Sequence, residues 1–225
     1  MTRTFALLAA AGLMLAACQP VAHAAEKPVE APAAKRVASE SEGLKVAIFA
    51  GGCFWGVEGV FSHVKGVKSA VSGYHGGSEA TAKYNIVTSG STQHAEAVRV
   101  VYDPAVVRYD QLLRIFFSVV ADPTLRNRQG PDVGAHYRAA LVPLGAEQRA
   151  VAQAYLAQMQ ASGVWNRPIV TRIESHRKFY PAEDYHQDFM LKNPRHGYIV
   201  RWDAPKVAAL ERLYPTHYRA TFQRN

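Results

Sequence analysis

Residues 44–61 read LKVAIFAGGCFWGVEGVF, and the rest of the chain is best understood outward from them. Residues 44–50 form a short apolar run that stops at Gly51-Gly52, the pattern of a buried strand. After Cys53 the apolar period changes. Phe54, Val57, Val60, Phe61 and Val64 recur at helical spacing, which predicts a helix from Cys53 to about His63. Cys53 then sits in the first helical turn, where unpaired amides and the partial positive charge of the helix end favour a thiolate. Gly51 and Gly52 leave the approach to the sulfur clear, and Phe54 and Trp55 offer apolar walls beside it. The same residues also describe an inert cysteine packed among core aromatics, and local physics leaves both readings open.

Beyond this unit, residues 67–74 and 95–102 read as strands, separated by the turn His75-Gly76-Gly77-Ser78. Residues 109–120 predict an amphipathic helix with Leu112, Leu113, Phe116 and Phe117 inward. Residues 121–135 are polar and rich in turn residues, and a loop of that length in a compact domain is commonly functional. A strand at 137–144, a helix at 147–161, a strand at 168–174 and a short helix at 182–192 follow, then a less regular segment with a helix at 205–213. Strands and helices mix without strict alternation. The expectation is one α+β domain over 44–225, with helices on a central mixed or antiparallel sheet in a ferredoxin-like two-layer arrangement.

The residues ahead of the domain read as an export leader over 1–24. Arg3 gives a positive start, residues 5–15 are apolar, and small residues follow. Two processing sites compete: Ala22-His23-Ala24 is an ordinary small-x-small cleavage site, and Leu15-Ala16-Ala17-Cys18 resembles the bacterial lipobox, with Cys18 lipidated. Residues 25–43, rich in Ala, Pro, Lys and Glu, read as a flexible tether. The expected location is the periplasm, with any membrane attachment made through Cys18. The chain has only two cysteines, so the fold holds a single thiol, Cys53, which cannot form an internal disulfide within it. A lone thiol in an oxidising compartment points to reactivity. The net charge of +8 is spread along the chain without a Lys/Arg block, so no nucleic-acid partner is expected. The scattered histidines form no zinc spacing, and no metal or other cofactor is expected.

Gly51-Gly52-Cys53-Phe54-Trp55-Gly56-Val57-Glu58 resembles the active-site signature of the A-type peptide methionine sulfoxide reductases. Further stretches match that family in order: Gly73-Tyr74 with Gly76-Gly77, Tyr84-Asn85-Ile86-Val87, His94-Ala95-Glu96, Tyr102-Asp103-Pro104, Asp122-Pro123-Thr124, the run Asn127 to Gly134, Tyr137-Arg138, Asp184-Tyr185-His186-Gln187 and Asn193-Pro194. The resemblance implies reduction of the S epimer of methionine sulfoxide in proteins or peptides. It makes Cys53 the nucleophile and Glu96 the acid that protonates the sulfoxide oxygen. Tyr84 and Tyr137 become donors to that oxygen, Asp132 a further pocket residue, and Phe54 and Trp55 the enclosure of the methyl group. Taken from the residues alone, Glu96 is an ordinary strand carboxylate, Tyr84 and Tyr137 are packing tyrosines, and Asp132 is a turn residue. His186 is expected to be scaffolding.

Many members of that family carry further cysteines that resolve the sulfenic acid, and none follows Cys53 here. A one-cysteine cycle is therefore expected, resolved by an external thioredoxin-like or glutaredoxin-like protein or a small thiol, in a monomer. Three other departures are Gln93 in place of the usual Gly, Ala121 in place of a frequent His, and His136 in place of a usual Gln. If Gln93 needs positive φ, it strains the backbone ahead of Glu96. Two other classes are consistent with a lone reactive cysteine: an acyl transferase or amidase pairing Cys53 with a histidine, and a noncatalytic envelope lipoprotein that binds oxidised or apolar peptides.

Overall fold

Strand β1 (Lys45–Gly51) leads through Gly52 and Cys53 into α1 (Phe54–Ser62), as the opening stretch predicts. The remaining elements of the computed structural model, which describes residues 28–225, are β2 (Val67–His75), α2 (Tyr84–Val87), β3 (Ala95–Tyr102), α3 (Tyr109–Ile115), β4 (Arg128–Gln129), β5 (Asp132–Val133), β6 (Ala139–Val142), α4 (Ala146–Ala161), β7 (Arg172–Ile173), β8 (Phe179–Pro181), α5 (Phe189–Lys192) and α6 (Ala204–Leu213). The leader and Cys18 lie outside the described residues.

Six strands form one sheet in the order β7-β6-β1-β3-β2-β8. Every neighbouring pair is antiparallel except β6 with β7, so the sheet is mixed. The inner four, β6-β1-β3-β2, come from the units β1-α1-β2 and β3-α3-β6, which is the ferredoxin-like connection. Side chains alternate between the two faces. Phe49, Val98, Val100 and Tyr102 enter the main core with the helices, while Ile48, Ala50, Ala95, Ala97, Ala140 and Val142 form a second cluster. Phe49 stacks on Phe61 of α1 at 4.8 Å between ring centroids, and burying one such side chain is worth about 1.5–3 kcal/mol. Glu96 is in phase with Val98 and Val100, so the pleat carries its carboxyl toward α1 and away from solvent.

Several boundaries differ from the sequence reading. The helix at 109–120 is α-helical only to Ile115. It then widens into a π-helical turn at Phe116–Val120, closed by the Ala121 amide on the Phe116 carbonyl at 3.0 Å. Residue Tyr137 is not on a strand; it ends a 3₁₀ turn at Ala135–Tyr137. The strand read at 168–174 shrinks to Arg172–Ile173, because the Val170 amide bonds to the Pro123 carbonyl instead of the sheet. The helix read at 182–192 is broken by Asp188 at φ 54.

The flexible tether is corrected for the part that is described. Residues 28–43 are a packed strap, with Ala31 0% exposed. The Val29 amide donates to the Ser118 carbonyl and the Ala31 amide to the Ser118 hydroxyl, while Arg114 pairs with Glu30. Tyr155 donates to the Pro32 carbonyl, and Glu40 accepts from the Tyr109 amide and the Tyr102 hydroxyl. An apolar-poor segment is held here by polar anchors spread over α3, the following π turn and α4.

Candidate active site

Gly52 has φ 88, a left-handed conformation that turns the chain from β1 into α1. A β-carbon at this position would also meet Gln129 Cβ at 2.6 Å. Cys53 follows as the N-cap of α1 and is the only cysteine among the described residues. It is partly exposed and opens into a cavity shared with Gln129, Asp132, Tyr198, Trp202 and Lys206, and with Val29 of the strap.

The expected thiolate is not the resting state. Burial, then Glu96, Asp203 and Asp132, push the Cys53 thiol well above its ordinary pKa, and the Trp55 amide bonded to the sulfur only partly offsets them. The helix terminus is outweighed by desolvation and three neighbouring carboxyls.

Glu96, near the start of β3, is 1% exposed, and its Oε2 accepts the Phe54 amide at 3.0 Å. Burial raises its pKa to about 8, helped by Asp132 and Asp203 and opposed by the Phe54 amide, so near neutrality it is a carboxylic acid. Tyr84 at the start of α2 is pushed up to about 12 by burial and by the charges of Glu96 and Cys53. Tyr137 is raised further by burial and by Glu96, Asp132, Cys53 and Tyr84. Tyr137 thus lies within electrostatic reach of Glu96, Asp132, Cys53 and Tyr84, although the five come from five separate segments. Both phenols keep their protons. Asp132 on β5 is raised by burial and accepts the Tyr198 hydroxyl.

Trp55 lies flat on Phe189, with centroids 3.7 Å apart at 6°, and its indole N–H donates to His186 Nδ1 at 3.1 Å. Phe54 is 1% exposed and built into the core against Tyr74 and His186. His186 is buried, kept neutral by that burial, and touches Phe54, Trp55 and Tyr84; it braces the aromatic wall. Gln93 is unstrained, because positive φ outside glycine occurs only at Asn127 and Asp188 among the described residues. His136 is buried, with its ring 4.1 Å from that of Tyr137.

The sequence reading missed Tyr198 and Asp203. Both lie in the C-terminal segment that shows little periodicity, and only an unexplained aspartate before Ala204-Pro205 marked the place. Chemically, the site surrounds a thiol with a neutral acid and two phenols. That arrangement can donate to an oxygen which has to leave as its sulfur is attacked. Among the described residues no histidine is hydrogen-bonded to Cys53, so the pairing an acyl-transfer enzyme needs is not formed.

The Peptide methionine sulfoxide reductase family profile matches residues 45–217. Peptide methionine sulfoxide reductase MsrA 2 of Mesorhizobium japonicum is 52% identical over 176 residues, covering 78% of this chain and 90% of that protein. The protein of the same name from Synechocystis is 48% identical, covering 82% and 86%. Among solved structures, reduced Mxr1 of Saccharomyces cerevisiae superposes with TM-score 0.62 at 30% identity, covering 82% of this chain and 96% of that one. Methionine sulfoxide reductase A of Corynebacterium diphtheriae gives 0.58 at 30% identity, covering 76% and 84%. Shared sequence along most of the length and a shared fold around the lone thiol agree: the chain belongs to the peptide methionine sulfoxide reductase family, of the A type, and is a thiol-dependent peptide-methionine (S)-S-oxide reductase.

Proposed function

We propose that this reductase works through a one-cysteine cycle at Cys53, with Glu96 as its acid. The observation that carries the reading is the buried, protonated Glu96 carboxyl fixed by the Phe54 amide, one residue from the thiol. Tyr84 and Tyr137 donate to the sulfoxide oxygen, and Glu96 gives it a proton. The Cys53 thiol passes its own proton to the carboxylate so formed, and its sulfur attacks the sulfoxide sulfur. The hydroxyl then transfers to Cys53. The S–O bond of the substrate breaks, methionine leaves having gained two electrons, and Cys53 becomes a sulfenic acid. Asp132 orders the side of the pocket next to Tyr198, and Phe54 and Trp55 enclose the substrate methyl.

An external thiol then attacks the sulfenic sulfur, and its proton leaves with the hydroxyl as water. A second thiol attacks the external sulfur of the mixed disulfide and frees Cys53. A thioredoxin-like or glutaredoxin-like protein, or a small thiol, fits this role. The substrates are oxidised proteins and peptides, and the enzyme acts as a monomer. Its place is the periplasm, as the leader sequence supports, with Cys18 as the lipid attachment if the lipobox is used.

The test is single turnover without reductant. Wild-type chain yields one methionine per chain from the S epimer and gains one oxygen at Cys53, trapped by a sulfenic-acid reagent. Cys53→Ser yields none. A disulfide in place of the trapped sulfenic acid would overturn the one-cysteine cycle.

A further inference from the structure

Asp203 is the buried carboxyl beside the thiol that the chemistry above leaves unused. It closes the π-helical turn Ile199–Asp203 and occupies the N-cap of α6. It is 0% exposed, and neither carboxyl oxygen has a hydrogen-bond partner. An aspartate at an N-cap ordinarily turns onto the amides of its own helix. Asp203 makes no such bond. Its carboxyl instead lies against the first turn of α1, where a β-carbon on Gly56 would stand 2.3 Å from Oδ1. Gly56, a helix-weakening residue, is what leaves room for it. A buried carboxyl with no cap, ion pair or hydrogen bond is expensive, so the fold gains nothing visible from keeping it.

Its charge does reach the reacting groups: it acts on Cys53, Glu96 and Tyr198. We infer that Asp203 is a positioning residue of the reduction: its carboxyl, packed on the first turn of α1, holds the Cys53 thiol protonated until a sulfoxide arrives. This rests on Cys53 being the nucleophile. Burial raises Asp203 to about 7, with Lys206 pulling down and Asp132 pushing up, so its negative charge is partly present at neutrality and becomes complete as pH rises above it. A thiolate beside that charge is repelled, and a thiol is slow toward electrophiles and peroxides. A protonated sulfoxide brings positive charge into the site and cancels the repulsion. The lone thiol is thereby unmasked by its substrate, which suits a site that has no second cysteine to rescue it.

The experiment compares wild type, Asp203→Asn and Asp203→Ser in alkylation by iodoacetamide from about pH 6 to 10, with Cys53 labelling followed by peptide mass mapping. The other charged or titratable groups around the site stay unchanged in both variants: Glu96 on β3, Asp132 on β5, Tyr84 on α2, His136 and Tyr137 on the 3₁₀ turn, and Tyr198 and Lys206 of the C-terminal segment. Both variants are expected to lower the labelling midpoint by about half to one pH unit, a rise of about three- to tenfold in rate below it. Both are also expected to melt no lower than wild type. Superimposable labelling profiles overturn the inference. Unfolding of both variants overturns it as well, since Asp203 would then be structural. Turnover of the S epimer by wild type is measured in parallel; its failure would remove the reductase chemistry while leaving the alkylation comparison to decide the role of Asp203.

Discussion

The amide of Phe54 donates to Glu96 Oε2 at 3.0 Å, tying the residue after the thiol to a carboxyl 42 positions along the chain. This bond joins the first turn of α1 to β3. It orients one oxygen of Glu96 and leaves the other to carry the proton. Position and proton affinity thus come from the same packing, because the contact that places the carboxyl also removes it from water.

Since the protonated form of Glu96 is the competent one, activity falls as pH rises through about 8. Initial rates on a sulfoxide peptide with dithiothreitol should show that limb in kcat/KM. Glu96→Gln should lower kcat/KM by about 10²–10⁴-fold and remove the limb. A variant retaining both the rate and the limb would relieve Glu96 of its role.

Glu58, in α1, accepts the Asp188 amide at 3.1 Å and the Asn225 side-chain amide at 2.9 Å, and burial raises it to about 7. A carboxyl whose folded pKa lies above its unfolded value stabilises fully below the unfolded pKa and loses that contribution as pH rises through the folded one. For Glu58 the window runs from about 4.5 to about 7. Melting temperature should therefore decline between about pH 4.5 and about pH 7 and level off above that, and Glu58→Gln should make the decline shallower. An unchanged slope would contradict this.

Glu40 accepts from the Tyr109 amide and the Tyr102 hydroxyl, both on the folded domain. Glu40→Ala should cost about 1.5–3 kcal/mol in urea unfolding, the usual worth of hydrogen bonds to a charged group. A free tether would predict no change at all.

Trp55 offers its ring face to Phe189 and its N–H to His186. Trp55→Phe keeps the face and leaves His186 Nδ1 without its donor, so stability should fall by about 1–3 kcal/mol while KM for the sulfoxide peptide changes little. Trp55→Ala removes the face as well and should raise KM. Equal KM in the two variants would take the indole ring out of substrate binding.

The chain order alone determined a good deal. The switch of apolar period around Gly51-Gly52 fixed β1, the turn and α1, because periodicity is written by near neighbours. The ordered motifs named Cys53, Glu96, Tyr84, Tyr137 and Asp132, and the fold gathers all five. Tertiary structure alone decided the protonation state of the thiol, which depends on burial and on charges that arrive from β3, β5 and the turn before α6. It also decided the strap, whose Ala and Pro residues carry no period and whose partner Ser118 is 87 residues from Ala31. It brought Asp203 to Gly56 from the far end of the chain. Local pattern reports which face a residue turns inward, whereas solvation and electrostatic potential are set by whatever distant segment packs against that face.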